Sequence, residues 1–104
     1  MTLPVRFHPD ARDEFIAEVD WYDDRAGLGE RFAEAVEIAI EFAAEDPEAW
    51  PPLRGWPREP IVRSKGVTSF PYRVLYLVRD DVLTVVAVAH TKRRPGYWKD
   101  RARA

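Results

Sequence analysis

Long apolar runs fill much of the second half of the chain. Between residues 72 and 78 only Arg73 is neither aromatic nor aliphatic, and between residues 82 and 89 only Thr84 is polar. Runs rich in Val, Leu and Tyr favour β-strands. Asp80 and Asp81 stand between the two runs, and Asp tolerates positive φ better than most residues. The pattern therefore predicts a β-hairpin closed by a two-residue turn.

That turn sets the predicted register of the hairpin. The expected pairs are Val78 with Leu83, Tyr76 with Val85, Val74 with Ala87, and Pro71 with His90. Because side chains alternate between the two faces of a strand, His90 is expected to share a face with Arg73, as a diagonal neighbour roughly 7–8 Å away. A slip of one residue would move His90 to the opposite face.

Apolar residues in the first half recur at helical spacing. A short strand is expected from Leu3 to Phe7, followed by a helix to about Arg25 that has His8 at its N-cap and proline in its first turn. Gly27 and Gly29 supply a turn, and a second apolar stripe predicts a helix from there to about residue 45.

The remaining segments complete the fold prediction. Residues 47–60 contain five prolines and two tryptophans, which indicates a rigid connection with Trp50 and Trp56 buried. Residues 61–65 read as a further strand, and KDRARA after Trp98 is typical of a frayed basic terminus. The order β-α-α-β-β-β predicts one α+β domain over residues 1–104, in which an N-terminal helical hairpin packs on one face of a mainly antiparallel sheet.

Composition excludes several kinds of site. The chain has no cysteine, which excludes disulfides, thiol catalysis and cysteine zinc sites, and with only two histidines, His8 and His90, no histidine-based metal site is expected. It has no Gly-rich phosphate loop, and no cofactor is expected. No apolar run approaches the roughly 20 residues of a membrane span, and the N-terminal residues lack the apolar region of a signal peptide. These features are typical of a cytoplasmic protein without membrane partners.

Charge is divided unevenly along the chain despite a net charge of −2. Residues 1–50 hold 14 acidic and 4 basic residues, whereas residues 51–104 hold 4 acidic and 12 basic residues. One interpretation is that each half only solvates its own surface. The other is that the second half forms a basic surface for a nucleic acid or an acidic polypeptide.

The end of the hairpin concentrates basic and aromatic residues. Cleavage of RNA through its own 2′-OH requires an acid, a base and cations around the phosphate, which His and Arg provide. The candidate catalytic set is His90, Arg73, Arg93 and Tyr97. The candidate RNA- or target-binding set is Arg63, Lys65, Lys92, Arg94 and Trp98. Alternatively, His90 is only a polar strand end, the arginines pair with helix carboxylates, and Tyr97 and Trp98 pin the tail to the core.

The chain resembles toxins of the RelE/ParE superfamily, also called plasmid-stabilisation proteins. The resemblance covers FHPDARDEF, WYDDRAGLGERFAEAV, DPEAWPPL and FPYRVLYLVRDDVLTVVAVAHTKRRPGYW in this order. It implies the β-α-α-β-β-β fold and a small cytoplasmic bacterial toxin of a type II toxin–antitoxin system. It also implies a cognate antitoxin that neutralises the toxin in a hetero-oligomer. An acidic antitoxin segment suits the basic half of the chain, and residues such as Trp21 and Ile38 would add apolar contacts.

The superfamily divides by mechanism. RelE-like members cleave mRNA on the ribosome with sheet Arg and Lys residues and a C-terminal Tyr. The residues that match this set in kind here are Arg73, Arg93 or Arg94, Tyr97, Arg63 and Lys65. ParE-like members inhibit DNA gyrase, and the His-x-x-Arg-x-Pro pattern at His90, Arg93 and Pro95 is similar to theirs. Pro95-Gly96 before Tyr97 departs from the RelE tail. The resemblance thus implies a gyrase-directed toxin, with an mRNA endoribonuclease and an inactive interaction protein as alternatives.

Overall fold

Two long helices, four strands and one short terminal helix make up the part of the chain that the computed structural model describes, residues 2–56 and 59–103. In chain order they are β1 (Val5–Phe7), α1 (Pro9–Ala26), α2 (Gly29–Glu45), β2 (Arg63–Gly66), β3 (Tyr72–Arg79), β4 (Val82–His90) and α3 (Lys99–Arg103). The predicted α+β class and order are confirmed, although strands β1 and β2 each begin two residues later than expected.

The four strands form one sheet in the order β1-β4-β3-β2. Strands β2, β3 and β4 are antiparallel to their neighbours, whereas β1 runs parallel to β4. The sheet is therefore mainly antiparallel, as predicted. The chain passes through the whole helical hairpin between β1 and the rest of the sheet, which leaves room for a parallel edge strand.

The β3–β4 hairpin closes at the predicted turn. Asp80 and Asp81 have φ of 54° and 59°, the two positive values of a type I′ turn, which matches the twist of paired strands. The predicted pairs of Val78 with Leu83 and of Tyr76 with Val85 are confirmed.

Beyond these pairs the predicted register is wrong by one residue. A β-bulge lies opposite Leu75 and Tyr76, so Val74 pairs with Val88 and His90 pairs with Tyr72. Val86 is the extra residue of the bulge, and both it and Ala87 are fully buried. The strand accommodates the extra residue because two consecutive apolar side chains can be buried on the same face of the sheet there. Every later side chain of β4 therefore lies on the face opposite to the predicted one.

Local signals explain the helical hairpin. The His8 side chain caps α1 by accepting a hydrogen bond from the Asp10 N–H through Nδ1 at 3.1 Å, as its N-cap position predicted. Gly27, with φ of 65°, ends α1 in a left-handed cap. At Gly29 a Cβ would lie 2.9 Å from the carbonyl oxygen of Val19, so only glycine lets the helices approach so closely.

Apolar side chains pack on both faces of the sheet. The inner core, between the sheet and the helices, includes Phe32, Val36, Val74, Tyr76 and Val85. The outer core, on the opposite face, consists of Val62, Leu75, Leu77, Val86, Ala87, Trp98 and Ala102. Trp50 packs against the inner core and Trp56 against the outer core, both half-buried.

The expected frayed terminus is wrong for residues 99–103, which form α3, while Ala104 lies outside the described residues. Ala102 is completely buried in the outer core. Its carbonyl accepts a hydrogen bond of 3.2 Å from the Arg79 guanidinium. Contacts with the sheet, not helix propensity, hold this single turn and a half in place.

Candidate functional site

A cleft of about 440 Å³ lies on the outer face of the sheet, between residues 53–56 and the C-terminal tail. Its floor includes Leu75 and Ala89. Five basic residues line it, namely Arg54, Arg73, Arg93, Arg94 and Lys99. No Asp or Glu is among the described residues that line it. We call this feature the basic cleft, and its surplus of cations suits an anionic ligand.

Arg73 is fixed to the floor of the basic cleft by its neighbour on β2. Its Nε donates to the Ser64 hydroxyl, and a terminal nitrogen donates to the Ser64 carbonyl at 3.3 Å. Ser64 is itself 4 % exposed, whereas Arg73 is exposed. One edge of the guanidinium is thus anchored while the charge still faces the solvent.

Two arginine guanidinium groups of the tail lie against the Tyr97 ring. The Arg93 guanidinium carbon lies 3.9 Å from the centroid of the Tyr97 ring, and that of Arg101 lies 5.2 Å from it. Arg101 forms an ion pair with Glu14 of α1, with N–O distances of 2.5 and 2.8 Å. Burial raises the pKa of the Tyr97 hydroxyl, and the negative charge of Glu14 adds to the rise. Tyr97 is therefore a poor proton acceptor at neutral pH.

His90 does not join Arg73 as predicted. The bulge places it opposite Tyr72, and the two rings meet edge to face with centroids 5.0 Å apart on the helix side of the sheet. Its Nδ1 accepts a hydrogen bond of 3.0 Å from the Lys92 N–H. In the neutral ring this hydrogen bond leaves the proton on Nε2, and the Nδ1 lone pair is already used. His90 borders the basic cleft, but its ring packs as a strand-end residue.

Two predicted binding residues lie away from the basic cleft. Arg63 donates to the Trp50 carbonyl at 2.7 Å. Lys65 lies 4.5 Å above the Trp50 ring and donates to the Gly66 carbonyl at 3.0 Å. Both cations hold the proline-rich connection and the edge of the sheet, and neither lines the cleft.

The remaining predicted residues differ in their position relative to the basic cleft. Arg93, Arg94 and Tyr97 line the basic cleft, whereas Lys92 is exposed outside it. Trp98 borders the cleft but is 5 % exposed and stacks on Trp56, with ring centroids 4.8 Å apart.

Sequence reasoning missed three basic residues of this region. Arg54 lies in the proline-rich connection, and Lys99 and Arg101 lie in the supposed frayed terminus. Only their positive charge marked them in the sequence. Neither segment has regularly spaced apolar residues from which a helix or strand, and so the positions of these side chains, could be predicted.

The described ranges 2–56 and 59–103 lack two further kinds of feature. These residues contain no group of three or more His, Asp or Glu side chains that could hold a metal ion. No helix in them is long and apolar enough to cross a membrane.

Comparison with known proteins decides the family. The model of the ParE toxin of the parDE type II toxin–antitoxin system matches residues 5–95. The chain belongs to the ParE toxin family. It is therefore the toxin component of a type II toxin–antitoxin system, in which a toxin is paired with a cognate antitoxin. The predicted resemblance to the RelE/ParE superfamily is confirmed.

Solved structures that share the fold of this ParE-family chain include the two that follow. One, described as the chromosomal ParDE toxin–antitoxin system from P. aeruginosa, superposes with a TM-score of 0.71 at 10% identity, covering 86% of this chain and 96% of that chain. The other, a double arginine-to-alanine mutant of the E. coli toxin RelE in the free state, gives a TM-score of 0.68 at 24% identity and covers 98% and 95%. No curated protein sequence matches the chain.

Proposed function

We propose that this ParE-family toxin stops bacterial growth in the cytoplasm by binding DNA gyrase through the basic cleft, without catalysing a reaction. Its cognate antitoxin neutralises it in a hetero-oligomer. The observation that carries this proposal is a cleft lined by five arginine and lysine side chains, in which His90 Nδ1 already accepts a hydrogen bond and burial raises the pKa of Tyr97.

The chemistry of the cleft favours binding over cleavage. General acid–base catalysis needs a group whose pKa lies near the working pH and whose reactive atom is accessible. The His90 ring packs on Tyr72 with Nδ1 occupied, and burial raises the pKa of Tyr97. An arginine guanidinium has five N–H donors and no acceptor, so Arg73 and Arg93 are suited to binding anions.

Neutralisation by an antitoxin is supported by two surfaces. The basic cleft suits a segment rich in carboxylates that becomes ordered on binding. On the helical layer Trp21 and Ile38 are 46 % and 43 % exposed, and these apolar side chains offer contact area for the same partner. Exposure of both residues agrees with their predicted role, which stays a prediction.

A supercoiling assay tests the proposal. Purified full-length toxin is titrated into DNA gyrase, and supercoiling of a relaxed plasmid is measured. We expect inhibition that weakens in Arg73→Gln and Arg93→Gln but persists in Arg12→Gln, which removes the same charge from an exposed position on α1. Absence of inhibition by the wild-type toxin would overturn the gyrase assignment.

A ribosome-associated mRNA endoribonuclease is the second candidate, because Arg73, Arg93 and Tyr97, which resemble the RelE-like catalytic set in kind, line one cleft. Cleavage of mRNA by toxin added to translating ribosomes, abolished in Tyr97→Phe, would favour it over the gyrase proposal. If expression of the toxin alone has no effect on growth, the third reading, an inactive interaction protein, replaces both.

A further inference from the structure

Four side chains form a continuous row around one edge of the sheet. The Glu14 carboxylate of α1 pairs with Arg101 of α3, Arg101 covers one side of the Tyr97 ring, and Arg93 lies against the same ring at 3.9 Å. We call this row the Glu14–Arg93 ladder. It begins on the acidic helical layer and ends at the basic cleft, on the opposite side of the sheet.

Arg101 is the fixed point of the ladder. Besides Glu14, it donates a hydrogen bond of 3.2 Å to the carbonyl of Val86, the extra residue of the β4 bulge. The ion pair is largely shielded from water, with side-chain exposures of 12% for Arg101 and 24% for Glu14. The hydrogen bonds to Glu14 raise the pKa of Arg101 further above its usual value. The bulge that turns His90 away thus provides an anchor for the tail.

Arg93 is held differently from Arg73. Arg73 is fixed by hydrogen bonds to Ser64, whereas the Arg93 guanidinium lies against the face of the Tyr97 ring. A free arginine side chain loses rotamer freedom when it binds a partner, and a side chain that is already ordered loses less. Holding Arg93 before the partner arrives therefore favours binding.

We propose that Tyr97 is a positioning residue whose ring, supported by Arg101 and Glu14, holds the Arg93 guanidinium ready for an acidic polypeptide surface in the basic cleft. The importance of this for gyrase inhibition rests on the proposed function. The ring serves this purpose and the hydroxyl does not, since cation–π attraction needs only the aromatic face.

A set of matched variants separates the ring from the hydroxyl. Tyr97→Phe keeps the aromatic face, Tyr97→Leu removes it, and Glu14→Gln weakens the far end of the ladder without touching the ring. Asp13→Asn is the control, because it makes the same charge change at an exposed neighbouring position of α1.

The first readout is the Nε–Hε resonance of Arg93 in the ¹⁵N-labelled full-length protein. A guanidinium over an aromatic ring is shifted by the ring current, so we expect the wild-type, Tyr97→Phe and Asp13→Asn proteins to share a shifted, well-ordered signal. Tyr97→Leu should move it towards the position of a free arginine, and Glu14→Gln should move it in the same direction.

The second readout is the toxin concentration that half-inhibits gyrase supercoiling. We expect Tyr97→Leu to raise it about two- to fivefold, the factor that one exposed cation–π contact supplies. Tyr97→Phe keeps the aromatic face and should therefore raise it less than Tyr97→Leu does.

Three results would overturn the inference. They are an unchanged Arg93 resonance in Tyr97→Leu, an unchanged resonance in Glu14→Gln, or a loss of inhibition in Tyr97→Phe as large as in Tyr97→Leu. If the wild-type toxin does not inhibit gyrase, the proposed function fails, while the resonance of Arg93 still decides whether the ladder holds it. If Tyr97→Leu does not fold, Glu14→Gln and Tyr97→Phe decide the same question.

Discussion

Replacing Trp98 by alanine tests whether the aromatic tail serves the core or the target. Trp98 is 5 % exposed, stacks on Trp56 and packs in the outer core. A buried aromatic side chain removes about 150–250 Å² from water, which at about 25 cal/mol per Å² corresponds to roughly 4–6 kcal/mol. Truncation of buried Trp to Ala costs about 3–5 kcal/mol in measured cases. We therefore expect Trp98→Ala to lower the free energy of unfolding by about 3–5 kcal/mol.

Equilibrium unfolding in urea, followed by far-ultraviolet circular dichroism, measures this change. A domain of this size is stable by only about 5–15 kcal/mol, so Trp98→Ala will unfold at much lower urea. Trp98→Phe retains an aromatic ring and is expected to lose less than half as much. The matched control is Trp21→Ala: Trp21 is 46 % exposed and touches Arg25 and Tyr22, so its loss should cost about 1 kcal/mol or less.

One result would refute this assignment. If Trp98→Ala unfolds at the same urea concentration as the wild type and yet no longer inhibits growth, Trp98 contacts the target. Its burial against Trp56 would then be incidental to its role.

Three further changes test other parts of the account. Asp81→Gly should raise the free energy of unfolding by about 0.5–1 kcal/mol, because Asp81 has φ of 59° and glycine adopts positive φ without strain; an unchanged thermal midpoint would contradict this. Burial raises the pKa of Tyr76 from 10.0 to about 12, so the folded state keeps a proton that the unfolded chain loses. Stability should therefore fall as the pH rises from 10 to 12, less steeply in Tyr76→Phe, and a parallel fall in both proteins would refute the assignment. His90→Asn keeps an acceptor for the Lys92 N–H and should leave growth inhibition within about twofold of wild type, whereas complete loss would restore an acid–base role.

Features set by neighbouring residues were predictable from the sequence. The proline and N-cap residue at the start of α1, the glycine turn between the helices and the Asp80-Asp81 hairpin turn all act within a few residues. The register of the hairpin was predictable from the turn as far as the pair of Tyr76 with Val85, because the turn alone fixes the pairing there.

The bulge could not be predicted from the pattern of polar and apolar residues in β4. Residues 85–89 are all apolar, so no polar position marks where an extra residue enters β4. Its location depends on how Val86 and Ala87 pack beneath the tail, which is a tertiary effect. One extra residue moves every later side chain of β4 to the opposite face of the sheet. Without the bulge, His90 was predicted to lie beside Arg73, whereas it lies beside Tyr72.

The tail was mispredicted for a related reason. Residues 99–103 contain one apolar residue, Ala102, and a helix this short has no readable period. Its order comes from long-range contacts, above all that of Arg101 with Glu14, which are 87 residues apart. The charge asymmetry did indicate a basic surface, but it gave no means of distinguishing the cleft arginines from Arg63, which supports the proline-rich connection.

The most direct test of a gyrase-directed, non-enzymatic toxin is pulse labelling of DNA and protein synthesis in the same bacterial culture. Labelled thymidine and methionine are followed over the first minutes after the toxin is induced without its antitoxin. The account predicts that DNA synthesis stops first and a DNA-damage response follows, while protein synthesis continues. Collapse of protein synthesis before DNA synthesis would contradict it and would make Arg73, Arg93 and Tyr97 candidates for an mRNA-cleaving site.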